Sequence, residues 1–274
     1  MNTTNSYVTV KSEARDPVQL SDFRPVACDH LARVGGANDG GYVVSLDAVR
    51  AADALLSLGL SHNWTFERDF RRLNSRAVIH CYDHTVSALT AFEYSLGQLG
   101  RFLVRFQPRY LRGAFTCLDY LLFFRGDKVH FRQRIWRDRE DDSATIDDAF
   151  DRLPNGSQVF VKIDVEGSEY RILDDLLRRS QNITALAIEF HDIDILLDPF
   201  KSVIEKIKHD FYLVHFHANN QGGLTPFHFP RTPEITFLNK RFFPSAPAPS
   251  TRAYPDPGLD APNRAGMPDF HLEL

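Results

Sequence analysis

Carboxylates, histidines and one glycine of this chain fall at the ends of short apolar runs. The run Val159-Phe160-Val161-Lys162-Ile163-Asp164 ends on a carboxylate, turns at Val165-Glu166-Gly167 and enters an apolar-periodic helix, Tyr170 to Arg179. That pattern is a strand delivering Asp164 to the carboxyl edge of a sheet, where open α/β proteins bind their ligands. Glu189, His191, Asp192 and Asp194 surround the end of the next run, and His215 and His217 end the one after. Strand alternation sends His215 and His217 to opposite faces, so only one can point at a site. Such a rim suits removal of a proton from a weakly acidic hydroxyl. Asp164 and His191 would flank that hydroxyl, with His217 or a metal ion assisting. Strand ends lying side by side would also let Asp164 share a divalent cation with Glu189 or His191, an oxygen-plus-imidazole set. Glu166 and Glu169 open a helix, where negative charge is favourable by about 0.3–1 kcal/mol for structural reasons alone.

A second group of residues suits a nucleoside. After the run Ala54–Leu58 comes Gly59-Leu60-Ser61-His62-Asn63-Trp64. Gly59 permits a tight turn and close approach of a ligand to the backbone. Ser61 or Asn63 can cap the following helix, whose N–H groups then face the ligand. Asp83 follows Gly59 by 24 residues, near the spacing at which an acid grips a ribose. As a loop carboxylate it would equally cap backbone. The turn at Asp39-Gly40-Gly41 either closes over a cofactor or is simply a hairpin turn. No Walker lysine motif is present, which disfavours a nucleoside triphosphate.

The elements that must position these groups alternate. Strands are expected at Ala54–Leu58, Ala77–Tyr82, Val129–Ile135, Gln158–Asp164, Ile183–Phe190, Tyr212–His217 and Glu234–Leu238. Helices are expected at about 65–73, at Thr145–Arg152 behind a capping box (Thr145, Asp148), after the fourth strand, and through Pro199–His209. Alternating βα units imply a mainly parallel sheet with helices on both faces. The last two strands have Gly222-Gly223 and prolines between them instead of a helix, and read as an antiparallel hairpin edge. Seven strands ending so match a Rossmann-like class I methyltransferase fold better than a dinucleotide dehydrogenase.

Residues 86–128 interrupt the alternation as a helical insertion in which Phe, Leu and Tyr are mixed with Arg101, Arg105, Arg109, Arg112 and Arg125. Three readings stand: a pack against the sheet with arginines in water, an acceptor lid gripping phosphate or carboxylate, or peripheral contact with a membrane surface or partner. Residues 1–32 form an N-terminal extension. Residues 244–274 form a Pro-rich tail, extended and held at its end by Phe270 and Leu272.

The chain has 274 residues, 43% hydrophobic and 25% charged, with a formal net charge of -4. That balance gives no general case for nucleic acid binding. Cys28, Cys81 and Cys117 are scattered and odd in number, so a reducing, cytoplasmic setting is the expectation. The polar start, Met1 to Val10, has no signal-peptide pattern, and no apolar run reaches the roughly 18 residues of a transmembrane helix.

Against this background, Val161-Lys162-Ile163-Asp164-Val165-Glu166-Gly167-Ser168-Glu169 resembles the "K-I-D-V-E-G-x-E" hallmark of the FkbM family of S-adenosylmethionine-dependent methyltransferases. Arg33 to Val43 resembles the "DGGY" motif of a branch that includes the methyltransferase-like 24 proteins. Ser57 to Glu67 resembles that branch's "S-x-G-x-S-x-x-x-x-F-E" cofactor loop. His217-Ala218-Asn219-Asn220 resembles its "H-x-N-N" turn, and Pro233 to Phe237 its last strand. The resemblance runs from about Arg33 to Arg241. The broader family has "D-x-G-A-N-x-G" in the cofactor loop. Here Ser57 stands for the acid, and Ser61 and Asn63 stand where Asn and a second glycine are expected. The resemblance implies methyl transfer from S-adenosylmethionine to a hydroxyl of a sugar, glycan or secondary metabolite, with Asp39, Gly59, Ser61, Asn63 and Asp83 towards the cofactor. Two alternatives remain. An NAD-dependent oxidoreductase or epimerase would need a fuller glycine loop. A non-catalytic methyltransferase-like binding protein would have lost turnover.

Overall fold

Seven apolar runs pair into one sheet in the computed structural model, which describes residues 7–274 apart from the side chains of Arg109 and Arg112. The start of the polar N-terminal stretch, Met1 to Ser6, lies outside the described residues. The strands are β1 (Ala54–Leu58), β2 (Val78–Tyr82), β3 (Lys128–Phe131), β4 (Val159–Ile163), β5 (Ile183–Glu189), β6 (Phe211–Ala218) and β7 (Pro233–Asn239). They lie in the order β6-β7-β5-β4-β1-β2-β3. Neighbours from β5 to β3 pair in parallel. Only β7 is reversed, antiparallel to both β5 and β6. This is the Rossmann-like class I methyltransferase architecture.

The last two strands form the expected antiparallel hairpin at the sheet edge, with β7 on its inner side, between β5 and β6. Every residue of β7 is buried, so its sequence demands cover on both faces and both edges, which an edge position denies it. The outer edge falls to β6, where Val26 N–H donates to the Leu213 carbonyl. The third strand also stops early, at Phe131. The chain turns there, and Arg134–Ile135 pairs in parallel with Ser143–Ala144 as a separate two-stranded ladder.

Alternation along β1 feeds the two faces of the sheet. Leu56 and Leu58 join one core with Val161, Ile163, Leu186 and Ile188. Leu55 joins the other, with Phe160, Ala185 and Ala187. The helices are α1 (Leu46–Ala51), α2 (Thr65–Leu73), α3 (Ala88–Arg105), α4 (Pro108–Ala114), α5 (Thr116–Phe123), α6 (Ile146–Asp151), α7 (Glu169–Leu177) and α8 (Leu197–Asp210). α7 buries Ile172, Leu173 and Leu176 in the first core, and α2 sends Phe66 and Phe70 into the second. α6 starts where its capping box predicts: the Thr145 hydroxyl accepts from Asp148 N–H, and the Asp148 carboxylate accepts from Thr145 N–H. α3, α4 and α5 make up the insertion between β2 and β3.

Both ends of the chain are folded onto this body. Tyr7–Val10 pairs in parallel with Asp269–Leu272. Phe23 stacks on Phe200 at 5.5 Å, and its ring edge meets Phe229 at 5.0 Å. The tail is held at its end, where Leu272 is buried and Phe270 packs on the core, and at further points along it, with Ser250, Tyr254, Asn263 and Asp269 buried. Ahead of β1, Leu31–Gly35 and Gly41–Ser45 form the antiparallel hairpin whose turn contains Asp39.

Candidate functional site

The carboxyl ends of β1, β2 and β4 are drawn together around Gly59. Its N–H donates to the Tyr82 carbonyl at 3.0 Å, and the Asp164 N–H donates to the Leu58 carbonyl at 2.8 Å. The glycine sits at φ +82°, and a Cβ added to it would lie 1.6 Å from the Asp164 carbonyl oxygen. No side chain fits there. In front of this junction opens a cleft of about 430 Å³, lined among others by Gly59, Ser61, Asp83, Trp136, Asp164 and Glu166. It lies where the strand order reverses, between β1 and β4, the place where open α/β sheets take ligands.

Of the residues expected towards a cofactor, Gly59, Ser61 and Asp83 line this cleft; Asp39 and Asn63 are not among its lining. Asp83 has a defined task. One carboxylate oxygen accepts from the N–H groups of Leu60 and Ser61, at 2.9 and 2.8 Å. The other accepts from Thr85 N–H and its hydroxyl, at 2.7 and 2.6 Å. Burial pushes its pKa up, but these four donors win and hold it below the usual carboxylate value. Asp83 thus shapes the glycine loop, with its lone pairs already filled. Asp83→Ala should cost about 1–3 kcal/mol in urea unfolding by orphaning those N–H groups. A change within about 0.5 kcal/mol would deny it this task.

Asn63 works as a brace. Its side-chain oxygen accepts from Thr65 N–H and hydroxyl at the start of α2, and its amide donates to the Asp39 carbonyl. Asp39 therefore sits in a hairpin turn packed on Asn63. Partial burial, then the Asp164 and Glu234 carboxylates, raise its pKa.

Asp164 stands where the sequence places it, at the end of β4. The Tyr42 hydroxyl lies 3.3 Å from its Oδ2 and 3.3 Å from Glu189 Oε2, and Lys162 Nζ lies 3.6 Å from the same Asp164 oxygen. Lys162, given no role from sequence, is buried and donates to the Gly59 carbonyl at 2.8 Å. Burial works against its charge, but Asp164, Glu67 and Glu189 together raise its pKa. Glu67 reaches beneath the loop from α2 and accepts from Ser57 Oγ at 2.6 Å. Where the broader family pattern has an acid at position 57, this chain pairs a serine with a carboxylate from the next helix.

His191 joins Asp164. Its Nδ1 is bonded to the fully buried Glu169 at 2.9 Å, and its Nε2 lies 3.4 Å from Glu166. Burial alone would lower its pKa, but the Glu169 carboxylate lifts it to about 9. At neutral pH the ring thus carries its proton, so it is a donor and not a ready base. One ligand atom from each of Asp164, Glu166 and His191 converges within 4.8 Å, a spacing that suits a metal ion. Glu189, the expected alternative ligand, is not in this group: it accepts from Asn219 Nδ2 at 2.7 Å, and burial with nearby Asp164 raises its pKa well above the usual value.

His217 is not brought to the cleft. It is buried, with Nδ1 3.1 Å from Glu234 and Nε2 3.2 Å from Asp269 of the tail. Burial opposes its charge, yet these two carboxylates raise its pKa well above the usual imidazole value. Both nitrogens are occupied, which leaves none to take a proton from a substrate. His215 meets another tail carboxylate, Asp260, at 3.2 Å.

Trp136 is the cleft residue that strand and motif reasoning passed over. Its ring is flanked by Arg134 at 4.8 Å and Arg171 at 4.9 Å, forming a half-buried aromatic wall. The spaced Arg134-Ile135-Trp136-Arg137 segment was its only signal.

No family model and no curated protein matches the chain. Among solved structures it is similar to precorrin-6y C5,15-methyltransferase from Geobacter metallireducens GS-15, at 14% identity over 71% of this chain and 86% of that one, TM-score 0.36. It is similar to a chain of a fibrillarin/Nop5p complex, at 12% identity over 69% and 74%, TM-score 0.36. It is also similar to the Methanococcus jannaschii fibrillarin pre-rRNA processing protein, at 9% identity over 84% and 87%, TM-score 0.39. The assignment to the class I methyltransferase architecture rests on the strand order and the single reversed strand.

Proposed function

We propose that this chain is an S-adenosylmethionine-dependent O-methyltransferase of the FkbM type, acting in the cytoplasm on a hydroxyl of a sugar, glycan or secondary metabolite. The observation that carries the reading is the cleft at the β1/β4 switch point, lined by Gly59 at the end of β1 and by Asp164 at the end of β4. Trp136 walls the part of the cleft that takes the adenine, and the loop shaped by Asp83 carries the amino-acid part of the cofactor.

In the reaction the acceptor oxygen attacks the methyl carbon as the carbon–sulfur bond breaks. The sulfonium becomes a neutral thioether, and the hydroxyl proton leaves to a base. The methyl carbon is already electrophilic, so in-line positioning supplies much of the rate. Asp164 is the base in this reading. Its side chain is 26% exposed, and Oδ2 is oriented by Tyr42 and Lys162. The His191 imidazolium steadies the acceptor oxygen by donating from Nε2.

Asp164, Glu166 and His191 also fit a divalent cation such as Mg²⁺ or Mn²⁺, with Glu169 orienting His191 through Nδ1 as outer carboxylates orient metal-bound imidazoles. When bound, in place of the His191 Nε2 proton, such an ion would acidify an acceptor hydroxyl. Mn²⁺ should therefore bind one ion per chain by electron paramagnetic resonance. Glu166→Gln should weaken it by about tenfold or more. Equal binding to wild type and variant would remove the ion from this site.

Calorimetry with S-adenosylmethionine, S-adenosylhomocysteine and NAD tests the main reading. One-to-one binding of the first two is expected. Binding of NAD alone would favour an oxidoreductase, and binding of none would favour a non-catalytic role.

A further inference from the structure

The insertion is built inside out. α3 turns Ala91, Ser95 and Gln98 towards the protein. It presents Leu89, Phe92, Leu96, Leu99 and Leu103 outward, each at least 41% exposed. Their 3-4-3-4 spacing makes one continuous stripe, the pattern by which a helix normally seeks cover. Beyond the stripe, at the corner into α4, Val104 and Phe106 are 79% and 74% exposed. Leu111 and Phe115 continue the apolar surface. Of the three readings of the insertion, packing of these residues against the sheet is not what the structure shows. A surface this apolar needs a cover.

Charge says which. No Asp or Glu occurs from residue 94 to 118, while Arg101, Arg105, Arg109 and Arg112 all fall there, in a chain whose net charge is -4. Among the described residues neither Arg101 nor Arg105 pairs with a carboxylate; Arg105 meets only the Tyr110 hydroxyl. An isologous contact with a second copy would set this arginine-rich corner against itself. Anionic lipid headgroups above acyl chains complement both features, arginines to the headgroups and Leu, Val and Phe to the hydrocarbon.

We infer that the α3–α4 corner docks on the surface of an anionic lipid bilayer. Among the described residues no helix is long and apolar enough to cross a membrane, so the contact is peripheral. The insertion is fixed to the cleft loop: the His62 ring stacks on Tyr94 at 4.5 Å, and Trp64 Nε1 donates to Asp119 at 2.8 Å. The docking element is thereby tied to the loop that leads from the cleft into α2. The inference stands independently of methyl transfer.

Vesicle flotation of the full chain tests it, with phosphatidylglycerol-containing and pure phosphatidylcholine vesicles at low and high salt. Binding to the anionic vesicles is expected, falling as salt rises, with little binding to the neutral ones. Val104→Glu/Phe106→Glu should lower it on the order of tenfold, since both side chains are open and their replacement leaves the fold intact. Arg101→Gln/Arg105→Gln should lower it by about fivefold per charge. Circular dichroism melting checks that each variant is folded. No vesicle binding, equal binding to neutral vesicles, or binding unmoved in folded variants would overturn the inference. A dimer dissolved by Val104→Glu/Phe106→Glu, without vesicle binding, would assign the face to a second copy instead.

Discussion

Gly59→Ala is expected to destabilise the protein by about 2–5 kcal/mol and to abolish cofactor binding. The left-handed backbone at φ +82° costs a residue with a Cβ about 1–2 kcal/mol. The larger difficulty is steric. The new methyl would lie 1.6 Å from the Asp164 carbonyl oxygen, which is backbone and cannot swing aside. Relief requires β1 and β4 to part at their carboxyl ends, at a further cost of about 1–3 kcal/mol. That parting strains the bonds Asp164 N–H to Leu58 O and Lys162 Nζ to Gly59 O. Urea unfolding and calorimetry with S-adenosylhomocysteine measure the two effects. A variant within about 0.5 kcal/mol of wild type would show that this junction is looser than its geometry implies.

His217→Leu should cost about 3–5 kcal/mol, because it removes the cation from between two buried carboxylates, Glu234 and Asp269. Asp269 begins the strand paired with Tyr7–Val10. Loss of His217 should therefore free the terminal segments first, read as faster proteolysis beyond residue 250. The pH dependence has a definite sign. The folded pKa of His217 lies above its unfolded value. Its contribution is complete below about pH 6.5 and fades as pH rises through the raised folded value. Asp260 runs the other way. Burial pushes it up, but the charges of His215 and His217 hold it down at about 2, against an ordinary 3.8. Its contribution is present above pH 3.8 and is lost as pH falls towards 2. Wild type should thus lose stability on both the alkaline and acid sides, and His217→Leu should show a smaller alkaline decline, with the part due to His191 remaining. Denaturant midpoints across pH check both limbs.

The parts of the fold written in local pattern were legible. β1, β4 and β5 are mostly apolar because both sheet faces are covered. Asp164 and Gly59 could be placed because a strand end and a turn are local events. The position of β7 inside the sheet could not be read, since strand order depends on long-range pairing. The same holds for roles. His217 looked like any rim histidine until Asp269, 52 residues away, closed over it. Asp83 and Asn63 had the right residue types near the site, but local N–H groups claimed their oxygens first. Lys162 and Glu67 stood within the quoted motifs without a role, because charged residues are rarely buried. The insertion's amphipathic pattern left three readings open, because it shows that a helix has an apolar face but not which way that face looks.

The most direct test of the site is a crystal structure with S-adenosylhomocysteine and added Mn²⁺. The account predicts the adenosyl group in the cleft against Gly59 and Trp136, with the sulfur facing Asp164. Adenosyl density elsewhere, or an empty cleft in crystals soaked at saturating ligand, would contradict it.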